Sequence, residues 1–307
     1  VAGVDGVSIE NITARNALLN GFYWATVKGY RGSYLTAYNN GDYGVYAFDA
    51  VDGVLDHSYA TGSPDAGFYI GQCYPCDAIV NNVVSEYNGL GYSGTNSGGS
   101  LYITSSIFRN NKGGLAPNTL DSELLPPERE TFIIGNLIEN NNSYNSPATN
   151  STYLSYGNGV VIAGGNNNII KNNVIVDHDL YGVILTAAMD VNYWPAHGNR
   201  VEENLILSSR KADIAISGVS NLANCFEGNY FNTSIPPGLQ ALNGCEKNII
   251  PLSADLSGLW STIARLIYAS TGNFYQDDWR TLPAPEQQEN MPIMQEIIDA
   301  NDNGQYE

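Results

Sequence analysis

Gly21-Phe22-Tyr23-Trp24, Gly44-Val45-Tyr46-Ala47 and Gly67-Phe68-Tyr69-Ile70 stand 23 residues apart and share one pattern, a glycine opening a short apolar run that carries a tyrosine. The pattern continues at Gly91-Tyr92-Ser93-Gly94 and Gly114-Leu115-Ala116-Pro117. After a 45-residue interval it resumes at Gly159-Val160-Val161-Ile162 and Gly182-Val183-Ile184-Leu185, and Asp213-Ile214-Ala215-Ile216-Ser217-Gly218 is a degenerate copy. The long interval is nearly two periods, which reads as one coil carrying an insertion. Self-similarity at a fixed short period is the signature of a solenoid, in which each repeat contacts its neighbours.

Every period contains a short strand-like run, an Asn-rich stretch and the glycine run. Ser33-Tyr34-Leu35-Thr36-Ala37 and Phe132-Ile133-Ile134-Gly135 exemplify the first, and Phe108-Arg109-Asn110-Asn111 and Ile138-Glu139-Asn140-Asn141 the second. Three strands bounded by Asn and Gly corners describe a parallel β-helix. No single coil buries its apolar side, whereas stacked coils share one core. Asn tolerates left-handed corners, and stacked Asn side chains hydrogen-bond along the axis. The chain is therefore expected to be all-β, a right-handed parallel β-helix of about eight to nine coils of ~23 residues. It spans residues 1–250, with residues 251–307 as a C-terminal capping helix and tail. Leu259, Ile263, Leu266 and Ile267 fall on one helical face with Trp260 beside them, which marks the helix. An extended segment from Leu282 to Asn290 and a short helix near Met291 to Ala300 follow.

Composition narrows the function. The 307 residues carry a net charge of −18, which opposes nucleic acid as a partner, because phosphate neutralisation needs basic side chains. Only 14% of residues are charged, and 37 Asn, 32 Gly and 21 Tyr supply the polarity instead. No apolar run reaches the roughly 18–20 residues of a membrane span, so an integral membrane protein is not expected. Val1 opens within the repeat with nothing resembling a signal peptide, which reads as a mature or trimmed product. Cys73 with Cys76 and Cys225 with Cys245 suit two disulfides and an extracellular, cell-surface or periplasmic location. His57, His178 and His197 show no zinc-ligand spacing with them.

Alternation along the glycine runs turns Phe22, Val45, Phe68, Val160 and Val183 inward. Tyr23, Tyr46 and Tyr69 then point outward in register, about 4.8 Å apart on successive coils, a platform for the flat apolar side of a sugar ring. One step past the strands lies a polar column, Thr26, Asp49, Gln72, Asn96 and Thr119, which would wall such a groove. The loop from Asn118 to Glu130 brings Asp121, Glu123, Glu128 and Glu130 for an acid/base pair or a calcium site, with Arg129 as a cation for a uronate carboxylate. A second loop, Ala188 to His197, adds Asp190, Trp194 and His197 a few coils along. His178 is expected at a surface corner. Asp299-Ala300-Asn301-Asp302-Asn303-Gly304 opens like an EF-hand loop, so Asp299, Asn301 and Asn303 are candidate ligands for calcium, the one cofactor suggested.

The Gly-Val/Ile-x-Val/Ile/Leu runs and Asn corners resemble the parallel β-helix repeat proteins of the pectin-lyase-like superfamily, in particular NosD-like and other secreted members. The resemblance covers roughly residues 1–245 and implies the fold more than an activity. Polygalacturonase-type Asp-Asp and Gly-His-Gly and the pectate-lyase Arg-x-Pro-x-x-Arg are missing, and Asp277-Asp278 stands in the tail. Tyr43-Gly44-Val45-Tyr46-Ala47-Phe48-Asp49 begins like the Tyr-Gly-Phe-Asp-Pro-His motif of alginate epimerases but lacks its Pro-His. The expected function is binding of an extracellular polysaccharide; if the chain is catalytic, processing of lyase or epimerase type on a uronate is the most compatible chemistry, with Glu123, Glu128, His197 or a tyrosinate as base. The rival is a non-catalytic surface or filament protein that self-assembles. A NosD-like role in copper delivery is weaker, because Met, His and Cys are sparse.

Overall fold

Each period folds as one turn of a solenoid, which follows from the corners. Asn11, Tyr34, His57, Asn82 and Ser105 occupy one column, and all five adopt left-handed backbone, φ 45 to 54°. A single left-handed residue turns the chain sharply between two strands without breaking their pairing. In the first coil the chain passes along a first face at Val7–Glu10, turns through Asn11 onto a second at Thr13–Arg15, and reaches a third at Phe22–Ala25. The next coil repeats the visit at Lys28–Ser33, Thr36–Tyr38 and Val45–Phe48. A computed structural model describes residues 1–218, 223–246, 263–264 and 266–286. Among them the three faces are sheets of nine, eight and nine strands, paired in parallel from coil to coil. The fold is a right-handed parallel β-helix.

The interior column of the third face runs Phe22, Val45, Phe68, Tyr92, Leu115, Val160, Val183 and Ile214, all buried. Each large apolar side chain so buried contributes about 1.5–3 kcal/mol, summed over a continuous core. The core also holds polar ladders. Nδ2 of Asn136 donates to Asn173 Oδ1 at 3.0 Å, Asn173 to Asn204 at 2.9 Å and Asn204 to Asn229 at 2.9 Å. A second ladder links Asn88, Asn111 and Asn141, and a third links Asn168, Asn199 and Asn224. Most of these amides also donate to a backbone carbonyl, as Asn173 does to Ile133 at 2.9 Å, and Asn168 donates instead to the Glu128 carboxyl at 2.8 Å, so both amide hydrogens are used.

His178 is not at the surface. It continues the Asn141 ladder, fully buried, with Nε2 3.4 Å from Asn141 Nδ2. Burial lowers its pKa to about 3, so the ring is a neutral rung.

The coil that spans the 45-residue interval bears two insertions, 118–128 between the third and first faces and 140–157 between the second and third. The described part of the C-terminal region lies along the flank of the stack. Residues 263–264 and 266–270 are helical, Phe274 stacks on Tyr153 at 4.4 Å and Tyr275 on Tyr144 at 4.6 Å. Lys112, buried beneath, donates Nζ hydrogen bonds to the carbonyls of Tyr144 at 2.7 Å and Tyr275 at 3.1 Å. Asn39 Nδ2 donates to Leu282 O at 2.6 Å, which fixes the tail against the second and third coils. Leu259, Trp260 and the stretch containing Asp299, Asn301 and Asn303 lie outside the described residues. Cys73–Cys76 and Cys225–Cys245 are disulfide-bonded. Among the described residues no helix is long and apolar enough to cross a membrane.

Candidate functional site

Parallel stacking in register carries the tyrosines to one place. Tyr23 pairs with Tyr46 and Tyr46 with Tyr69 on the outer side of the third face. Their ring centroids are 5.1 and 4.5 Å apart. Tyr43, at the head of its strand, adds a fourth ring, 4.5 Å from Tyr46 and 5.0 Å from Tyr69. Tyr23 is exposed and Tyr43 and Tyr46 are partly exposed. Tyr69, expected on the surface, is only 1% exposed. Its ring lies flat over Gly71, where any side chain would collide with the Tyr69 hydroxyl, and the 118–128 loop closes over it.

Three carboxyl groups ring this shelf. Tyr69 donates its hydroxyl hydrogen to Glu123, whose oxygens lie 2.8 and 3.0 Å away. Asp42 and Asp65 occupy the same corner on successive coils, tied by Asp65 N–H donating to Asp42 O at 3.0 Å. Tyr43 hydrogen-bonds the Asp65 carboxyl. Burial raises the pKa of Asp65 to about 7, helped by the neighbouring Asp42 and Glu123 charges and opposed by the Tyr43 hydrogen bond. Burial also raises Glu123 to about 7, opposed by Tyr69, and raises Asp42. The patch is therefore partly protonated near neutrality, a mixture of carboxylic acid and carboxylate. Burial, then nearby carboxylates, push the hydroxyls of Tyr43, Tyr46 and Tyr69 well above the usual phenol range. A tyrosinate base is thereby disfavoured, and these rings are neutral donors and stacking surfaces.

The loop that carries Glu123 is anchored by the polar column. Asn96 Nδ2 donates to Leu120 O at 2.7 Å and Glu123 O at 2.9 Å, while Gln72 Oε1 accepts from Leu124 N–H at 2.9 Å. Gln72 and Asn96 are thus supports rather than an open wall. Thr119 donates to Gly164 O at 2.8 Å, and Asp49 stays exposed, accepting from Thr26 at 3.0 Å. Asp121 joins the two loops. Its carboxylate accepts from Asn192 N–H at 2.7 Å, Asn192 Nδ2 at 2.6 Å and Trp194 Nε1 at 3.2 Å, and these bonds lower its pKa. In return Asp121 N–H donates to Asp190 at 2.8 Å. Trp194 sits in an antiparallel hairpin, Ala188–Met189 against Tyr193–Trp194.

The remaining expected residues lie elsewhere. Glu128 is fully buried inside the helix, accepting from Thr131 and Asn168 at 2.8 Å each. Burial raises its pKa to about 8, so it is a mostly neutral end to the Asn168 ladder, out of reach of any ligand in the groove. Arg129 turns away from the shelf. Its guanidinium lies 3.6 Å over the Tyr74 ring and donates to Pro127 O at 2.9 Å, while Tyr74 hydrogen-bonds Glu130 at 3.0 Å. His197 is exposed at the same corner column as Arg129, bridged through Asn166. Glu202, Cys225 and Cys245 approach one another, but both sulfurs are spent in the disulfide, which leaves one ligand and no metal centre there.

No protein-family model matches the sequence, and no curated protein does. Among solved structures the chain is similar to the A-module of Azotobacter vinelandii mannuronan C-5 epimerase AlgE4, with TM-score 0.54 and 17% identity, over 81% of this chain and 63% of that one. The AlgE6 A-module of the same organism gives TM-score 0.51 and 15% identity, over 74% and 71%. The periplasmic alginate epimerase AlgG gives 0.51 and 13%, over 71% and 50%. The likeness is one of fold. This chain spans 63% of the AlgE4 module and 50% of AlgG.

Asp42, Tyr43 and Asp65 escape a reading built on the glycine runs alone. Their signal is nevertheless present, since Asp42 and Asp65 each stand two residues before a repeat glycine, Gly44 and Gly67. Tyr43 opens the run that begins like the epimerase motif.

Proposed function

We propose that the protein binds an extracellular polysaccharide on the third face and transfers a proton to and from a uronate ring held there. The observation that carries this reading is the meeting of Glu123 and Asp65, both with pKa values raised to about 7, on a shelf of tyrosine rings. Aromatic rings stack on the apolar side of a pyranose, and a general base works best with a pKa near the operating pH. With Arg129 held on Tyr74, protonated carboxyls are the groups that meet a uronate carboxylate. A carboxylic acid kept neutral by its surroundings donates a hydrogen bond to such a charge. One carboxylate then takes the C5 proton while the electron pair spreads into the uronate carboxyl group. Return of a proton to C5 from the opposite side gives the epimer; breaking of the C4–oxygen bond, with a proton passing to the leaving oxygen, gives the unsaturated product. The likeness of fold to mannuronan and alginate epimerases and the two disulfides support a uronate substrate and an extracellular, cell-surface or periplasmic setting.

A titration against oligouronates and neutral oligosaccharides, with parallel assays for unsaturated ends and for epimer content, tests this reading. Saturable binding of an oligouronate that Tyr46→Ala weakens about tenfold is expected, since an aromatic contact is worth about 1 kcal/mol or a little more. Bringing a uronate carboxylate beside Glu123 and Asp65 raises their pKa values further, so binding takes up protons and affinity falls as pH rises above about 7. No binding and no product from any uronate would reject the proposal and leave the self-assembling surface protein.

A further inference from the structure

A second concavity lies over the second face, next to its corner with the third, and is lined by residues other than those of the tyrosine shelf. A groove of about 870 Å³ runs over the second face. Its floor is the outer side of Tyr59–Thr61 and Val84–Glu86, and its walls are loop residues 143 and 145–147 and tail residues 282–286. That volume is within the range of small-ligand sites, about 300–1,000 Å³. The floor crosses successive coils, so its long axis follows the stack.

The charges in the groove are largely matched within the protein. Glu86 accepts from the Tyr59 hydroxyl at 2.7 Å and from Arg109 Nε at 2.7 Å. Arg109 has Glu139 on its other side, 3.9 Å away. Asp277 and Glu286 add negative charge at the wall, so an anionic chain is repelled. His57, also in the lining, lies 3.6 Å from the Asp56 carboxylate, and the rest of the polar lining includes the hydroxyls of Thr61 and Ser146 and the amides of Asn82 and Asn145. Tyr87 stands at the rim on a left-handed corner, φ 57°, and the residue is 48% exposed. One exposed ring, neutral donors and acceptors, and self-neutralised charges together describe recognition of an uncharged polyhydroxylated chain.

We propose that this groove is a second carbohydrate site, which takes a neutral oligosaccharide lying along the helix axis between the second face and the tail. Isothermal titration of the full chain with a panel of neutral hexasaccharides (β-1,4-glucan, β-1,4-mannan, β-1,4-xylan and α-1,4-glucan), and with a hexauronate, tests it. At least one neutral hexasaccharide binds saturably. Tyr87→Ala, which removes the ring, and Asn82→Trp, which fills the mouth from an exposed corner, each weaken that binding about tenfold. Unchanged melting curves verify that both variants fold. Tyr46→Ala weakens only the hexauronate. Absence of binding across the neutral panel, survival of that binding in both groove variants, or its loss in Tyr46→Ala would overturn the proposal. Loss of hexauronate binding alone bears only on the third face.

Discussion

Glu128 and Glu123 sit five residues apart in one loop and have opposite fates, because the chain re-enters the helix between them. Sequence alone sees two loop glutamates of equal standing. Only the path of the backbone puts one under the Asn168 ladder and the other over Tyr69. Glu128 therefore belongs to stability. Its pKa is about 8 when folded and near the ordinary glutamate value when unfolded. Between those values the folded state keeps a proton that the unfolded state has lost, so stability falls as pH rises from about 4.5 to 8. Asp65 and Glu123 act in the same direction up to about 7. Glu128→Gln stays neutral at all pH, and the Thr131 hydroxyl is free to reverse its role and accept from the new amide. Thermal melting across pH 5 to 8 checks this: the variant has a flatter dependence and melts several degrees above the parent at pH 8. An unchanged slope would mean that Glu128 is ionised in the fold.

Elements were more legible than residues, since the 23-residue spacing carries strand, corner and inward direction together. The Tyr23, Tyr46 and Tyr69 register follows from that spacing, while the burial of Tyr69 depends on a loop 50 residues later and has no local signature. The same holds for Asp121. It is read in sequence as one acid in a cluster, yet its partners Asn192 and Trp194 arrive from a hairpin two coils away. Asp121→Ala should free that hairpin. Hydrogen exchange at residues 188–195 rises by tenfold or about that, with little change in melting temperature, because the bonds lie outside the core. Protection that persists would show that the hairpin is held by other contacts. His178 replaces an amide in a ladder, and its folded pKa of about 3 lies below its unfolded value. Between pH 3 and 6.5 the unfolded state binds the extra proton, so stability is lost as pH falls through this window. His178→Asn restores the rung and removes that acid sensitivity; melting at pH 4 should rise by several degrees relative to the parent.

At the scale of the whole molecule, the stack brings together side chains that are remote in the chain, and the tail binds across it. Lys112 is the buried tie between insertion and tail, with a pKa lowered by burial to about 8. Lys112→Met keeps the apolar stem and removes the donors. Limited proteolysis should then cut within residues 274–286 at least several-fold faster while the coils stay intact, and an unchanged rate would show that Phe274 and Tyr275 stacking suffices. The sign of the charge, the disulfides and the repeat were all readable in advance. The positions of Arg129 and the acidic ring of Asp42, Asp65 and Glu123 were not, because they depend on which way long loops fold over a surface. On the proposed function, this ring, set on tyrosines by coil stacking, moves protons on a bound sugar. Incubation of an oligouronate with the protein in D2O, followed by NMR of the C5 position, measures that transfer. The C5 proton signal is expected to disappear with the parent chain at pH 7, and the rate to fall about 10²–10⁴-fold in Glu123→Gln and in Asp65→Asn. Exchange that proceeds equally in both variants, or none in the parent while the oligouronate is bound, would contradict it.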